Sequence, residues 1–237
     1  MKNLKNIDLI SINCVNPQES VKAMKYCQKY FQFGKSILFT HENISVENIE
    51  VQQIDKLTYK GYNNFILKLA DYSDNDYVMI VQDDGHIINQ NMWDDRFFKY
   101  DYIGAPWPKE ESWIEKAPAW KRKYILKNRI GNGGFSLRSK KFLQFSKQFQ
   151  NVNVKDSDAE DFFLCCYKYD EAISYGIKFA PVNVAIKFSY ENPCIEYSGM
   201  PWNFHISFDR KKHLGWHGKQ FLNTYDLLRV KEVPKKL

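Results

Sequence analysis

The amino-acid sequence predicts an α/β fold in which one mixed, mostly parallel sheet is flanked by helices. Strand-like and helix-like segments alternate between residues 7 and 82, an order that is typical of parallel strands joined by right-handed helical crossovers. The run Val78-Met79-Ile80-Val81 is short, apolar and uncharged, as expected for a central strand buried on both faces. A chain of 237 residues can bury a large core, so we expect a single domain over residues 1–237.

The first half of the chain gives a clear signal for each element. Residues 7–12 have the pattern of an apolar strand. The next helix is expected to begin with Asn16 as N-cap, Pro17 at the first helical position and Glu19 in a capping box. Its apolar stripe at helical spacing comprises Val21, Met24, Cys27, Tyr30 and Phe31. Further strands are predicted at 36–40, 51–54 and 77–82, with a helix at 62–72.

The second half of the chain is less regular. A strand at 101–106 precedes residues 107–128, whose charges and tryptophans predict a partly helical insertion of the kind that is often functional. Glycines at 131–134 predict a tight turn, or a place where backbone approaches a ligand, and they lead into a strand. Ser139 is expected to cap a helix through residue 149, and another helix is expected at 158–175.

Composition excludes several classes of protein. Hydrophobic residues make up 44% and charged residues 26% of the chain, as in soluble globular proteins. The net charge of +6 suits nucleotide phosphates and loose contact with an anionic membrane surface, but not a nucleic acid. Five cysteines without CxxC or zinc spacing predict a reduced, cytoplasmic protein. Because no signal peptide or apolar span is evident, any membrane contact is expected to be peripheral, on the inner face.

Two adjacent acids follow the buried strand. Asp83 and Asp84 come directly after Val81-Gln82, and α/β folds bind ligands at the carboxyl edge of the sheet. Neighbouring carboxylates repel each other unless a positive charge lies beside them, and a hard divalent cation with oxygen ligands supplies one. The alternative is a polar turn that caps the next helix.

Two further motifs contain residues suited to catalysis or metal binding. Glu160 and Asp161 begin an apolar helix, where they act either as caps or as a general base whose proton affinity is raised by its neighbour. His217 stands between Trp216 and Gly218, where it is either an ordinary surface histidine or a metal ligand.

Together these motifs resemble the metal-dependent GT-A-fold glycosyltransferases, and most closely a bacterial glycosyltransferase-like family of surface-polysaccharide and O-antigen (lipopolysaccharide) biosynthesis. The matching segments, in order, are Cys14–Pro17, Gln82–Gly85, Asp101–Trp107, Gly131–Ser139, Glu160-Asp161, Phe188–Glu191 and Trp216–Gly218. A more distant similarity, to Fringe-like β1,3-glycosyltransferases, rests on Tyr62–Lys68. The resemblance implies a GT-A-type, Rossmann-like sheet with a nucleotide-binding half at about 1–85 and an acceptor-binding, catalytic half at about 86–237.

The resemblance also implies roles for individual residues on the donor side. Asp84 would hold Mn²⁺ or Mg²⁺, and His217 would be the second protein ligand or a contact to the diphosphate. Gln82 and Asp83 would contact the ribose or a metal-bound water. Gln82 stands where many such enzymes have an aspartate, so direct metal contact from this motif rests on Asp84. The remaining donor-binding candidates are Asn16, Lys68, Gly133 and Gly134.

On the acceptor side, Asp161 would be the general base, supported by Glu160. Trp107 and Trp120 are candidates for stacking on an acceptor sugar, with a core role as the alternative for Trp107. The implied reaction is inverting transfer from a UDP-sugar, with UDP-galactose favoured, to a hydroxyl group of a glycan or lipid-linked glycan. Two alternatives remain open: a metal-dependent nucleotidyltransferase or phosphodiesterase, and a non-catalytic glycan-binding module.

Overall fold

Eleven strands and seven helices make up the part of the chain that the computed structural model describes, residues 1–107, 117–152, 159–191 and 210–218. The strands are β1 (Lys2–Leu4), β2 (Ile7–Ile12), β3 (Phe31–Phe33), β4 (Ser36–Thr40), β5 (Glu50–Gln53), β6 (Tyr77–Val81), β7 (Gly85–Ile87), β8 (Tyr102–Pro106), β9 (Ile130–Ser139), β10 (Ser189–Tyr190) and β11 (Gly215–His217). The helices are α1 (Pro17–Gln28), α2 (Tyr59–Ile66), α3 (Ala119–Lys127), α4 (Lys140–Lys147), α5 (Glu160–Phe162), α6 (Tyr169–Ser174) and α7 (Val182–Phe188).

The central sheet has six strands in the order β5-β4-β2-β6-β9-β8. The first four are parallel, and β9 runs antiparallel to both of its neighbours. This arrangement confirms the predicted mixed, mostly parallel sheet. Two smaller sheets accompany it, one of β1 with β3 and one in the order β10-β11-β7.

Successive residues of the central strands pack on opposite faces of the sheet. In β6, Val78 and Ile80 join the core cluster on the α2 side, whereas Met79 and Val81 join the cluster that includes α1 residues Met24 and Cys27. This alternation follows from the two-residue period of a strand. Helices therefore cover both faces, which explains why β6 is apolar throughout.

Several helix boundaries differ from the prediction. The first helix does begin at Pro17, but the Asn16 side chain makes no capping hydrogen bond, and Phe31 lies in β3. The second helix begins earlier than predicted, because Thr58 caps it by accepting from the Gly61 amide, and it ends at Ile66. Ser139 caps α4 as expected, through the Phe142 amide.

Two larger corrections concern the second half of the chain. The glycines at 131–134 form no turn but lie inside β9, a ten-residue strand. The expected helix at 158–175 is divided into α5, a π-helical turn at Phe163–Tyr167, and α6. Its predicted first residue, and residues 108–116 of the predicted insertion, lie outside the described residues. Within the described part of the chain, no helix is long and apolar enough to cross a membrane.

Candidate functional site

A cleft of about 370 Å³ opens at the carboxyl edge of the parallel strands. It is lined by Ile12, Asn13, Cys14, Val15, Leu57, Thr58, Tyr59, Tyr62, Gln82, Asp83 and Asp84. These residues come from the loops after β2 and β6 and from the beginning of α2. The adjacent acids are thus at a ligand-sized cleft, at the sheet edge where α/β folds bind ligands.

The loop after β2 is shaped by Asn13 rather than by Asn16. Asn13 Oδ1 accepts hydrogen bonds from the amides of Val15 and Asn16, at 2.8 Å each, and its Nδ2 donates to Ser20 Oγ at 3.0 Å. Asn16 is exposed and does not line the cleft. From this loop the cleft is lined by Asn13, Cys14 and Val15, so the structure does not bring Asn16 to it.

Strand pairing brings His217 to the acidic loop. In the small sheet, His217 of β11 pairs with Gly85 of β7, the residue directly after Asp84. The parallel strand β10 pairs Tyr190 with Trp216, so Glu191, which follows β10, lies beside His217. The register of this sheet thus assembles three side chains that are far apart in the chain.

His217 lies among oxygen atoms. Its Nε2 donates to Gln82 Oε1 at 3.0 Å and lies 3.3 Å from Asp84 Oδ1. Its Nδ1 lies 3.5 Å from Glu191 Oε1, which is an ion-pair distance and long for a hydrogen bond. Burial lowers the pKa of His217, but the interactions with Asp84 and Glu191 outweigh it and raise this pKa to about 10. The raised pKa favours the protonated form of the ring at neutral pH.

The geometry of Asp84 and His217 fits two ligands of one divalent cation. In octahedral coordination of an ion such as Mg²⁺, two neighbouring ligand atoms lie about 3.0 Å apart. Asp84 Oδ1 and His217 Nε2 are 3.3 Å apart, which is close to that distance. The cation would take the place of the Nε2 proton, because metal ligation needs the neutral ring. The described residues contain no group of three or more His, Cys, Asp or Glu side chains arranged for a metal, so other ligands would come from a substrate and water.

Gly134 leaves the space that His217 occupies. A Cβ atom at position 134 would stand 1.9 Å from His217 Nε2, which is far inside van der Waals contact. At Gly133, a Cβ atom would stand 2.7 Å from an Arg138 guanidinium nitrogen and 3.2 Å from Asp161 Cβ. Both glycines thus leave room for neighbouring side chains, and their donor-binding role stays a prediction.

We expect Gly134→Ala to displace His217 and to lower the free energy of unfolding by about 1–3 kcal/mol, the usual cost of overpacking. Urea denaturation measures this cost. Gly61→Ala is the matched control, because a Cβ atom there would meet nothing closer than Leu57 Cδ2 at 3.3 Å, and alanine favours a helix. Equal stabilities of the two variants would show that His217 is not confined by Gly134.

Asp161 lies on the other side of the glycine pair. Its Oδ2 accepts from the Gly133 amide at 2.8 Å and its Oδ1 accepts from the Phe162 amide at 2.6 Å. Burial and the charge of Glu160 raise the pKa of Asp161 to about 7, although these hydrogen bonds and Arg138 lower it. The N-cap of α5 is Ala159, so Asp161 does not cap this helix. A carboxyl group with a pKa near neutrality is suited to general-base catalysis.

Glu160 forms a buried ion pair with Arg138. Its carboxylate accepts from both terminal nitrogens of Arg138, at 2.9 and 3.4 Å, and the two side chains are 4% and 1% exposed. The Glu160 amide donates to Asn63 Oδ1 at 3.2 Å. Glu160 thus ties α5 to β9 and α2, and its charge raises the pKa of Asp161. Its supporting catalytic role stays a prediction.

Three predicted residues lie away from the cleft or have other roles. Lys68 is exposed and follows the carboxyl end of α2, whereas the cleft is lined by the beginning of that helix. Trp107 is only 7% exposed, and its ring packs against Gly131 and Phe162, so it belongs to the core. Trp120 lies in α3, and its side chain is outside the described residues.

Sequence reasoning missed the roles of Tyr62, Asn132 and Glu191. Tyr62 lines the cleft, and its hydroxyl oxygen accepts from Gln82 Nε2 at 2.7 Å. Asn132 Nδ2 donates to Glu191 Oε2. All three lie in motifs that were recognised, but only the register of β10 with β11 shows which side chains meet.

Comparison with solved structures shows the fold. An active-site mutant of LgtC is 13% identical, with a TM-score of 0.50 over 89% of this chain and 86% of that one. A glycosyltransferase involved in glycosylation of the major capsid of PBCV-1 is 10% identical, with a TM-score of 0.50 over 96% and 99%. The fold is therefore the Rossmann-like GT-A type.

The remaining comparisons say less about the fold. The bifunctional IspDF from Campylobacter jejuni is 15% identical, with a TM-score of 0.44 over 73% of this chain, which spans only 48% of IspDF. No curated protein sequence matches the chain. The model of one family, described as a protein of unknown function (DUF5672), matches residues 43–205. Because this match covers more than half of the chain, the protein belongs to the DUF5672 family.

Proposed function

We propose that the protein is an inverting, divalent-metal-dependent glycosyltransferase that transfers a sugar from a UDP-sugar to a hydroxyl group of a glycan acceptor. One observation carries the proposal: at the open cleft of a GT-A-type sheet, Asp84 lies 3.3 Å from His217. That pair fits the two protein ligands of a cation that also binds a diphosphate. The name of the PBCV-1 enzyme, a glycosyltransferase, agrees with the reaction class.

The residues that line the cleft suit the separate parts of a nucleoside diphosphate. Val15 and Tyr59 line it and are 91% and 58% exposed, which suits the flat apolar face of a nucleobase. Asp83 and Asp84 make another part of the lining acidic. A diphosphate can occupy that part only together with positive charge. A divalent cation held by Asp84 and His217 would supply this charge and would stabilise the departing diphosphate.

Asp161 is the general base of the proposed reaction. Its carboxylate takes the proton from the acceptor hydroxyl group, and the oxygen attacks the anomeric carbon. The bond from that carbon to the diphosphate oxygen breaks with its electron pair, and UDP leaves. Asp161 and His217 contact successive residues, Gly133 and Gly134, whose Cβ directions point to opposite sides of β9. The proposed base and the proposed metal ligand thus flank the same two residues of β9.

UDP-galactose is the proposed donor. The proposed acceptor is a glycan or lipid-linked glycan of surface-polysaccharide or O-antigen synthesis, and the site of action is the cytoplasmic face of the membrane. The net charge of +6 is compatible with peripheral contact to anionic lipid.

Asp84→Asn tests the donor site directly. We expect calorimetry to show UDP binding by the wild type only with Mn²⁺, and a loss of that binding in the variant, because a neutral amide is a weaker ligand for a hard cation. Asp74→Asn is the matched control, since Asp74 is exposed and precedes β6 at the opposite end of that strand. Mn²⁺-independent UDP binding, or equal affinity in the Asp84 variant, would contradict the metal assignment.

Product analysis separates the reaction classes. Incubation with UDP-galactose, Mn²⁺ and glycan acceptors should release UDP and form a bond of inverted anomeric configuration. Release of pyrophosphate or phosphate would instead assign a nucleotidyltransferase or phosphodiesterase. Glycan binding without any need for nucleotide or metal would assign a binding module.

A further inference from the structure

Glu191 is held on both sides of its carboxylate. Oε1 lies 3.5 Å from His217 Nδ1, and Oε2 accepts from Asn132 Nδ2. Asn132 is itself only 6% exposed, and its Oδ1 accepts from the Gly134 amide at 3.4 Å. Glu191 is therefore fixed to β9 while it faces the histidine ring.

His217 Nδ1 is the atom that this carboxylate faces. Nδ1 is buried, and it makes no hydrogen bond within the described residues. The Glu191 oxygen at 3.5 Å is its charged neighbour. A carboxylate can only accept a hydrogen bond, so it favours the ring orientation and the tautomer in which Nδ1 carries hydrogen and Nε2 is left for another partner.

We propose that Glu191, anchored by Asn132, is a positioning residue that holds the His217 ring with Nε2 facing the oxygen atoms of Gln82 and Asp84. The inference deepens the proposed function, on which its cation-binding part rests, by naming the residue that prepares the donor-side ligand. Glu191 acts through His217 and needs no contact with the substrate itself. Outer partners of this kind typically change metal affinity by about 10–100-fold when they are removed.

The neighbours of His217 explain why such a residue is needed. Nε2 lies between Gln82 Oε1 at 3.0 Å and Asp84 Oδ1 at 3.3 Å, and Gly134 leaves just enough room for the ring. Rotation of the ring by half a turn would exchange carbon and nitrogen positions at both contacts. The charge of Glu191 opposes that rotation because it attracts Nδ1–H rather than a ring carbon.

The test uses the full chain with Glu191→Gln, which keeps the side-chain volume but removes the charge and offers a donor as well as an acceptor. Glu171→Gln is the control, since Glu171 is 55% exposed and pairs with Lys168 on the surface. Mn²⁺ binding is measured by electron paramagnetic resonance without nucleotide. We expect about 10–100-fold weaker binding in Glu191→Gln and no change in the control.

A second measurement does not depend on metal or activity. In the metal-free protein, proton NMR should show a Nδ1–H signal, assigned by its loss in His217→Ala, that is protected from exchange in the wild type and unprotected in Glu191→Gln. Asn132→Ala should reduce this protection as well, because it removes the anchor of Glu191. The unfolding midpoints of all variants show whether each one folds.

The outcomes distinguish the two proposals. Loss of protection without any Mn²⁺ or UDP binding by the wild type would support the positioning of His217 and refute the proposed donor site. Mn²⁺ binding of wild-type strength by Glu191→Gln, with an unchanged Nδ1–H signal, would overturn the positioning role and leave the proposed donor site intact.

Discussion

Asp161→Asn is expected to lower kcat by about 10²–10⁴-fold, the usual contribution of a general base, while UDP affinity stays close to that of the wild type. Asp161 does not line the cleft, so its loss affects the transition state more than donor binding. Steady-state kinetics and calorimetry measure the two quantities. A variant that retains most of its activity would show that the base lies elsewhere.

The pH dependence of kcat should identify the same group. Asp161 must be ionised to accept a proton, and its pKa is about 7, so kcat should rise as the pH increases through about 7. Glu160 and Arg138 face it, and Tyr62, Tyr102 and Cys165 are the other titratable groups close enough to sense its charge. Asp161→Asn should lack this rise.

Protein stability should change with pH in the opposite direction. The pKa of Asp161 is higher in the folded protein than in the unfolded chain, whose carboxyl group has a pKa near the model-peptide value of about 3.9. Between about pH 4 and pH 7 the folded state therefore binds more protons, and its stability falls as the pH rises. Asp161→Asn should remove this part of the slope in urea denaturation series, while Asp74→Asn should not.

Arg138→Met is expected to cost about 3–5 kcal/mol of unfolding free energy, because it leaves the buried Glu160 carboxylate without its cation. Arg138 is 1% exposed and also lies 5.3 Å over the Tyr102 ring. Lys22→Met is the control, since the Lys22–Glu19 pair is exposed at 44% and 39% and such pairs contribute about 0–1 kcal/mol.

A double variant isolates the cause. Arg138→Met combined with Glu160→Gln should recover part of the loss, because no buried charge is then left unpaired. If the double variant is as unstable as the sum of the two single variants, the packing of Arg138 rather than its charge is responsible.

The sequence predicts those elements whose structure depends on a short, continuous pattern of residues. The strand β6 was recognisable because burial on both faces requires an uncharged β-branched run, and its end placed Asp84 at the sheet edge. The glycines of β9 were misread, because a glycine needed for space looks the same in sequence as a glycine needed for a turn. Their neighbours His217 and Arg138 become visible only in three dimensions.

Residue roles that depend on the register of paired strands cannot be predicted from the sequence alone. The resemblance over Tyr62–Lys68 predicts both ends of this segment alike, but α2 ends at Ile66, so Tyr62 lines the cleft whereas Lys68 lies beyond the helix and is exposed. Glu191 was recognised within a motif, and only the pairing of β10 with β11 shows that it faces His217.

The pairing of β7 with β11 also sets the order in which the site is completed during synthesis. All residues that line the cleft have been translated once Asp84 has left the ribosome, whereas His217 is 133 residues later. At about 5–20 residues per second this interval is about 7–27 s. The Asp84–His217 pair can therefore form only after residue 217 has been synthesised and β11 has docked on β7.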